Sequence, residues 1–236
     1  MKIYSKGNTA KQWILDQVYA SALDRQFRVC DLGCGYGSVW PDFLRAHANV
    51  TYLGIDTDAK EIARAQKAFA GLTNATVKVA DGQIFSEGAG SFDAVTAFSA
   101  LEHVVDLKKF VGSALKLLKP GGRAYLNYDA GHFRSHNLKE RLMVPLSQFL
   151  ARLGVEGPYM KEVDDADLER LIRSCGGKLV SLKKFNLSGM KAAARGGLSD
   201  EAVAAWLEFE LRLNELLEAK KLNAAFWSTV AVAERV

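Results

Sequence analysis

Short apolar runs alternate with helix-length amphipathic segments through the first half of the sequence, and this alternation restricts the fold more than any other feature. Apolar runs of strand length predict strands at residues 27–32, 51–55, 75–80, 92–98 and 123–128. Apolar residues at helical spacing predict helices at residues 9–24, 38–48, 58–70 and 107–118. Strands that alternate with helices of this length form right-handed βαβ units, so the sequence predicts an α/β fold around a parallel sheet.

After residue 128 the alternation gives way to a helical stretch. The spacing predicts helices at residues 137–153 and 165–175, a strand at 178–185, a helix at 199–221 and a strand at 226–233. Because no linker-like segment separates the two halves, we predict one domain over residues 1–236 with a helical cap inserted at residues 129–176.

The first cap helix places several apolar side chains on one face. They are Leu142, Met143, Leu146, Phe149 and Leu150. An apolar stripe of this kind either packs on the edge of the sheet or forms a lid over an apolar substrate. The sequence leaves both interpretations open.

The composition excludes several classes of protein. Of the 236 residues, 49% are hydrophobic and 25% are charged, which is typical of a globular protein and not of a disordered one. The net charge of +4 is too small to indicate a nucleic-acid-binding surface. Three cysteines without metal-site spacing fit a reducing compartment. Because the sequence shows neither a signal-peptide core nor an apolar stretch of about 18 residues, we predict a cytoplasmic protein without a membrane span.

A glycine-rich loop of sequence DLGCGYG begins at Asp31, directly after the first predicted strand. A dinucleotide-binding loop needs glycine at its first, third and sixth positions. Here Gly33 and Gly35 fit, but Ser38 occupies the sixth position and Gly37 comes one residue too early. Asp31 would repel a pyrophosphate and attract an amino group. The loop therefore favours a ligand that joins an amino acid to a nucleoside over a nicotinamide dinucleotide.

Two further acidic residues end the second and third predicted strands. A carboxylate at Asp56 can accept hydrogen bonds from both hydroxyls of a ribose. The alternative role, capping the next helix, can fall to Asp58 instead. Asp81 can accept a hydrogen bond from an adenine amino group, although Asp81-Gly82 is also a common turn sequence. We therefore predict a nucleoside site at this edge of the sheet.

Six short motifs continue the pattern over residues 27–128. They are VCDLGCGYG from Val29, GID from Gly54, DG from Asp81, FDAV from Phe92, LEHV from Leu101 and LLKPGG from Leu117. In this order and spacing they resemble class I methyltransferases that depend on S-adenosylmethionine (SAM), in particular the small-molecule type, such as the ubiquinone-biosynthesis O-methyltransferases and the methyltransferases of type 11. The resemblance implies a doubly wound, Rossmann-like sheet of seven strands, mostly parallel with one antiparallel strand. It also implies SAM as the methyl donor and S-adenosylhomocysteine (SAH) as the product.

The resemblance assigns roles to single residues. The cofactor-binding set that it implies is Asp31, Gly33, Cys34, Gly35, Tyr36, Gly37, Asp56, Thr57, Asp81, Gly82, Ala97, Phe98 and Ser99. Asp31 and the glycine loop would hold the methionine part of SAM, and the backbone around Phe98 would meet its amino group. Asp56 would bind the ribose and Asp81 the adenine, with Thr57 packed beside the adenine.

Methyl transfer is an in-line displacement that proximity and alignment promote, and a hydroxyl acceptor also needs a base. His103 follows the fourth strand near the expected substrate entrance and is the first candidate for that base. Tyr128 and His132, near the end of the fifth strand, are further candidates, and Asp129 and His136 are comparable to them. Each of these residues could instead be a packing or capping residue. Some similar O-methyltransferases carry a Glu-x-x-Glu-His metal cluster, but Ser99 replaces its first glutamate here, so we predict no metal.

These features together predict an enzyme that transfers a methyl group from SAM to an oxygen or nitrogen of a small molecule. An RNA methyltransferase is an alternative, although no basic groove is evident and nucleic acid is an improbable partner. A SAM- or nucleoside-binding protein without transfer activity is another. Asp31 and Ser38 disfavour a nicotinamide oxidoreductase. Both a monomer and a homodimer fit the sequence.

Overall fold

The computed structural model describes residues 2–130, 133, 138–153, 159–187, 189, 193–194, 196–217, 222 and 225–236. The strands are β1 (Phe27–Leu32), β2 (Val50–Asp56), β3 (Ala75–Val79), β4 (Phe92–Ala97), β5 (Leu118–Asp129), β6 (Gly177–Leu187) and β7 (Phe226–Arg235). The helices whose bounds are described are α1 (Thr9–Ala22), α2 (Trp40–Ala46), α3 (Ala59–Ala68), α4 (Leu107–Leu117), α5 (Leu138–Arg152), α6 (Asp165–Ser174) and α7 (Asp200–Leu216). A 3₁₀ turn spans Leu101–His103.

The strands form one seven-stranded sheet in the order β3-β2-β1-β4-β5-β7-β6. The strands from β1 to β5 pair in parallel, whereas β7 lies antiparallel between β5 and β6. This arrangement confirms the prediction of a Rossmann-like, mostly parallel sheet with one antiparallel strand. The strand order reverses between β1 and β4, which opens a crevice at the carboxyl ends of these strands.

Helices cover both faces of the sheet, so the core has two layers. One layer joins α1, α2, α3 and α7 to the sheet, and the other joins α4 and α6 to its opposite face. Along β1, Phe27 and Val29 are buried in the first layer, whereas Cys30 and Leu32 are buried in the second. This alternation follows from the two-residue period of a strand. None of the helices in the described ranges combines the length and the apolarity needed to cross a bilayer.

Side-chain caps determine where several helices begin. Asn8, Asp58, Asp106, Asp164 and Ser199 each precede a helix and accept a hydrogen bond from a backbone N–H of its first turn. A cap of this kind stabilises a helix by about 1 kcal/mol, because it pairs a donor that has no partner within the helix.

Two predicted element ends differ from the structure. The sequence Pro120-Gly121-Gly122 was expected to precede the fifth strand, but β5 already begins at Leu118 and passes through these residues. The glycines instead accompany an irregularity in the pairing with β4, where the register shifts between Phe92 and Ala94. Phe92 pairs with Leu118 and Ala94 with Arg123, so the irregularity absorbs three extra residues of β5 without ending the strand.

The last long helix is also shorter than predicted. It was expected to cover residues 199–221, but α7 ends at Leu216 and its last turn contains no basic residue. Lys220 and Lys221 lie outside the described residues. At the start of the helix, Asp200 and Glu201 occupy the first turn, where negative charge is favourable.

Within the described residues, the predicted cap region at 129–176 contains helices α5 and α6, which have different surroundings. Helix α6 packs against β6 and α4, so it belongs to a helical layer of the sheet. Helix α5 instead leaves apolar side chains exposed, among them Leu142, Met143, Leu146 and Phe149. These four side chains therefore do not pack on the sheet edge, which was one of the two interpretations of the stripe.

Candidate active site

A cleft with a volume of about 430 Å³ lies at the carboxyl ends of β1 to β4, at the reversal of strand order. Seven of the residues singled out in the sequence line it: Gly33, Asp56, Thr57, Asp81, Gly82, Ser99 and His103. The lining also contains Ala80, Gln83, Ala100, Val104, Val105 and Phe110, which the sequence analysis did not identify. These residues follow four different strands, so the fold brings together positions that are up to 77 residues apart in the chain.

The glycine loop is tied to the end of β2. The backbone N–H groups of Gly33 and Cys34 both donate to the carbonyl oxygen of Ile55, at 2.9 Å each. Gly37 has a φ of +88°, and a side chain there would collide with the ring of Phe69. Only glycine combines this backbone conformation with the close packing, which explains its presence in the loop.

Asp56 joins the loop to the edge of the cleft. Its Oδ2 accepts a hydrogen bond from the N–H of Gly35 at 2.8 Å, and its Oδ1 accepts one from the N–H of Asp58 at 2.9 Å. Asp58 caps α3 by accepting from the N–H of Lys60 at 2.7 Å. The capping role therefore falls to Asp58, and the half-buried carboxylate of Asp56 remains at the cleft.

Asp81 lies in a turn at the cleft wall. Its Oδ1 accepts a hydrogen bond from the N–H of Gln83 at 2.8 Å. The side-chain amide of Gln83 is 3.2 Å from the same oxygen, and its Oε1 accepts from the N–H of Asp106 at 2.8 Å. Beside this turn, a side chain at Gly82 would approach the ring of Phe110 to 2.8 Å. Because Gly82 has no side chain, a narrow space remains beside the ring of Phe110.

Asp31 occupies a different environment from the one expected. Only 1% of it is exposed, and the described lining of the cleft does not include it. Its carboxylate accepts hydrogen bonds from the hydroxyls of Tyr52 at 3.0 Å and Thr96 at 2.7 Å. Burial raises the pKa of Asp31 to about 6, against the opposing effect of these hydrogen bonds. Any influence of Asp31 on a ligand in the cleft would act through its charge.

The other members of the predicted cofactor set surround the cleft at a greater distance. Among the described residues, its lining does not include Cys34, Gly35, Tyr36, Gly37, Ala97 or Phe98. Cys34 and Phe98 are buried in the core. Tyr36 is exposed, and its ring contacts the guanidinium group of Arg64 with 4.8 Å between the group and the ring centroid.

Lys11 is a residue that the sequence analysis missed. It lies on α1, and its ammonium group is 3.4 Å from the hydroxyl of Ser38 and 5.6 Å from the centroid of the Phe98 ring. Its positive charge also lowers the pKa of Asp31. A cation therefore lies between the glycine loop and the end of β4. A single lysine on an amphipathic helix gives no sequence signal for this position.

His103, the first of the predicted bases, lines the cleft. Its Nδ1 is 3.1 Å from the carbonyl oxygen of Tyr159, and since a carbonyl only accepts, Nδ1 carries the proton. The neutral ring then has its lone pair on Nε2. Tyr128 lies elsewhere: it is buried, donates to Asp165 at 2.6 Å and lines a separate cavity of about 260 Å³. Burial raises the pKa of Tyr128 far above its usual value. His132 and His136 lie outside the described residues.

Ser99 reaches the cleft in a strained conformation. Its φ is +50°, which is uncommon for a residue other than glycine. Its N–H donates to Oδ1 of Asn127 at 3.2 Å, and its hydroxyl donates to Oδ2 of Asp129 at 2.9 Å. Within the described part of the chain, no three His, Cys, Asp or Glu residues are grouped so that they could hold a metal ion.

Comparisons with known proteins agree with this geometry. Residues 9–181 match a family described as a methyltransferase domain. The chain is 31% identical over 168 residues to a ubiquinone biosynthesis O-methyltransferase from Xanthomonas axonopodis pv. citri, covering 69% of this chain and 65% of that protein. It is 27% identical to one from Cupriavidus pinatubonensis over 66% of this chain and 62% of the relative. The chain thus spans somewhat less than two thirds of these relatives.

Solved structures with the same fold have more distant sequences. Geranyl diphosphate C-methyltransferase from Streptomyces coelicolor A3(2) superposes with a TM-score of 0.61 at 14% identity, over 95% of this chain and 78% of the other. The cyclase SpnF superposes with a TM-score of 0.60 at 20% identity, over 94% and 80% of the two chains. At such identities the likeness concerns the fold alone. Because the family match covers most of the chain, the protein belongs to the class I SAM-dependent methyltransferases.

Proposed function

We propose that this enzyme transfers the methyl group of SAM to a hydroxyl or amino group of a small molecule, and that SAM binds in the 430 Å³ cleft. The observation that carries the proposal is the position of Asp56 and Asp81, which end adjacent strands and meet at this cleft. Carboxylates there can accept hydrogen bonds from a ribose and an adenine, respectively. Family membership supports SAM as the ligand.

The residues around the cleft fit the nucleoside part of SAM. Asp56 has lone pairs beyond the two that its backbone donors use, and Thr57 lies next to it. The cleft lining also includes Val104, Val105 and Phe110, which offer apolar contacts to the flat adenine ring. The space that Gly82 leaves against Phe110 would admit the edge of that ring.

The charges near the glycine loop fit the amino-acid part of SAM. We assign the carboxylate of that part to Lys11, whose ammonium group lies between Ser38 and Phe98. The amino group would meet the backbone of Gly33–Gly37 and of Ala97–Ser99. Asp31 would favour its positive charge from behind the loop.

SAM supplies a methyl group on a positively charged sulfur, which is a good leaving group. A hydroxyl acceptor must lose its proton during the transfer, and two residues that line the cleft can take it: His103 through Nε2, because its Nδ1 donates to Tyr159, and Ser99 through its hydroxyl, which donates to Asp129. We retain His103 over Tyr128, because Tyr128 is buried and already donates to Asp165. An amine acceptor would need only its neutral form.

The acceptor itself would lie beneath the cap. We propose that the chain forms one domain and that α5, with its exposed apolar face, is a lid over an apolar part of the acceptor. The loop after α5 supports this placement, since Gln148 donates to the carbonyl of Met160 and His103 donates to that of Tyr159. The cap is thereby linked to the wall of the cleft. Relatives named ubiquinone biosynthesis O-methyltransferases support a small organic acceptor.

Two measurements test the proposal. Calorimetry should detect SAH binding, and no heat at about 1 mM SAH would refute the cofactor assignment. Incubation of cell extracts with tritiated SAM and the enzyme should place the label in small molecules. Label in RNA would instead favour an RNA methyltransferase, and SAH binding without any transfer would favour a binding protein.

A further inference from the structure

A buried pair of carboxyl groups lies directly behind Ser99, outside the machinery described so far. Glu102 is only 1% exposed, and its Oε1 accepts a hydrogen bond from the N–H of Asp129 at 3.3 Å. The other oxygen of Glu102, Oε2, and the Oδ1 of Asp129 are both buried and have no hydrogen-bond partner among the described residues. A buried polar atom without a partner destabilises a protein by about 1–3 kcal/mol. Two such atoms on neighbouring side chains therefore require an explanation.

One proton shared by the two carboxyl groups would remove both defects. If Glu102 is protonated on Oε2, it becomes a donor, and the unpartnered Oδ1 of the neighbouring Asp129 can accept from it. Two neighbouring carboxylates in a buried site cannot easily both be ionised. In agreement, burial and the nearby charge of Asp129 raise the pKa of Glu102 to about 8.

The pair is connected to the cleft by a residue that the fold holds under strain. Ser99 lines the cleft, and its one hydroxyl proton has two acceptors within hydrogen-bond distance: Oδ2 of Asp129 at 2.9 Å, which is the nearer, and Oδ1 of Asn127 at 3.3 Å. Its positive φ costs about 1–2 kcal/mol, and strain of this kind concentrates at functional sites. Asn127 maintains the conformation: it accepts from the N–H of Ser99 and is itself fixed by a hydrogen bond to Ser228 at 2.7 Å.

We propose that Glu102 and Asp129 share one proton, and that Ser99 and Asp129 form a relay that carries the proton of a hydroxyl acceptor out of the cleft. As the acceptor oxygen bonds to the methyl carbon and displaces the sulfur, its O–H bond breaks and the proton passes to Ser99 Oγ. Ser99 gives its own proton to Asp129 Oδ2, so the negative charge of Asp129 is neutralised. Ser99 contacts the acceptor, and Glu102 is a positioning residue that holds Asp129. The relay rests on the proposed function.

The titration of Glu102 has a defined direction. The ionisable groups around Glu102 are Asp129 on β5, His103 in the same turn, and Tyr159 and Lys161 in the segment before α6. This segment contacts Glu102 directly, because the N–H of Lys161 donates to the backbone carbonyl of Glu102 at 2.9 Å. Since the pKa of Glu102 in the folded protein is raised to about 8, the shared proton is present at neutral pH and is lost as the pH rises past that value. Neutralising Asp129 removes a negative neighbour and should lower the pKa of Glu102.

Infrared spectroscopy of the whole protein, without any acceptor, tests the shared proton. A protonated carboxyl band should titrate away near pH 8 in the wild type and should be absent in Glu102→Gln. In Asp129→Asn the band should titrate at lower pH. Asp16→Asn is the matched control. Burial raises the pKa of Asp16 to about 6, so this variant should remove only the part of the carboxyl band that titrates near pH 6 and leave the part near pH 8 unchanged. An unchanged band in Glu102→Gln would overturn the shared proton.

Turnover of a hydroxyl acceptor tests the relay. Asp129→Asn should lower kcat by about 100-fold, a typical loss for acid–base catalysis, and leave SAH affinity nearly unchanged. Ser99→Gly, which tolerates the positive φ, should lower kcat similarly, and Glu102→Gln should shift the pH profile. Full activity of Ser99→Gly together with a loss in His103→Ala would overturn the relay in favour of His103. A failure of SAH to bind would refute the proposed function, whereas the infrared bands would still decide the shared proton.

Discussion

The two ends of the sheet use their polar side chains in different ways. At the β1–β3 end, Asp56 accepts a hydrogen bond from the backbone of the glycine loop, Asp81 accepts one from the backbone of its own turn, and both face the cleft. At the β5–β7 end, Lys184 is 4% exposed and lies between Asp165 at 2.6 Å and Thr229 at 2.9 Å. The first arrangement leaves lone pairs for a ligand. The second is satisfied within the protein, which indicates a role in assembling the fold.

The contrast teaches which polar residues a ligand can use. A carboxylate that accepts two backbone N–H groups is fixed in direction but retains free lone pairs, as at Asp56. Lys184 on β6 donates to Asp165, which begins α6, and to Thr229 on β7. Its side chain therefore joins three elements of the fold. Substitutions at the two ends should therefore change different quantities: ligand affinity at the first and stability at the second.

The largest expected effect is at the β5–β7 end. Lys184→Met should lower the free energy of unfolding by about 3–5 kcal/mol, since it leaves the partly buried Asp165 without its cation. Affinity for SAH should stay the same, because Lys184 does not line the cleft. Urea denaturation and calorimetry measure the two quantities.

Lys183→Met is the matched control, because Lys183 precedes Lys184 in β6 and is more exposed. It should change the free energy of unfolding by about 0.5 kcal/mol or less. Equal losses in the two variants would mean that the ion pair does not account for the stability of this end.

The next effect concerns ligand affinity at the β1–β3 end. Asp56→Ala should weaken SAH binding by about 1–3 kcal/mol, the cost of leaving hydrogen-bonding groups unpaired. Asp58→Ala should leave SAH binding intact and lower stability by about 1 kcal/mol, because Asp58 only caps α3. Titration calorimetry and denaturation on both variants separate the two roles. Unchanged affinity in Asp56→Ala would show that the ribose assignment is wrong.

The difference between the two ends also explains what could be predicted from the sequence. The strands and helices of residues 27–128 follow local periodicity, Asp56 is the last residue of β2, and Asp81 follows shortly after β3. Their meeting at one edge follows from the parallel topology. The antiparallel position of β7 has no local signal, and it was available only through resemblance to a family.

Contacts between distant parts of the chain were not predictable. Lys11 reaches Ser38, 27 residues away, and Lys184 reaches Thr229, 45 residues away. Asp31 was predicted from its place before the glycine loop, but its buried contacts with the hydroxyls of Tyr52 and Thr96 had no sequence signal. No pattern within one strand indicates which side chains of neighbouring strands will face it.

A smaller effect should distinguish the two parts of the ligand. Lys11→Met should weaken SAH binding by about 1.5 kcal/mol, because a hydrogen bond to a charged group is lost. Adenosine has no carboxylate, so its affinity should not change. Lys6→Met is the control, since Lys6 is exposed and pairs with Asp200. Calorimetry with both ligands gives the comparison, and equal losses for SAH and adenosine would exclude Lys11 as the carboxylate partner.

The smallest effect on stability is expected in α5, which belongs to neither end. Phe149 and Leu146 are 56% and 48% exposed, so Phe149→Ser and Leu146→Ser should each change the free energy of unfolding by about 0.5 kcal/mol or less. Phe209→Ser on α7, where the side chain is 52% exposed, is the matched control. If α5 is a lid, the α5 variants should raise KM for an apolar acceptor and leave SAH affinity unchanged, whereas Phe209→Ser should do neither. If KM is unchanged in both α5 variants, the exposed apolar face of α5 does not bind the acceptor and makes some other contact.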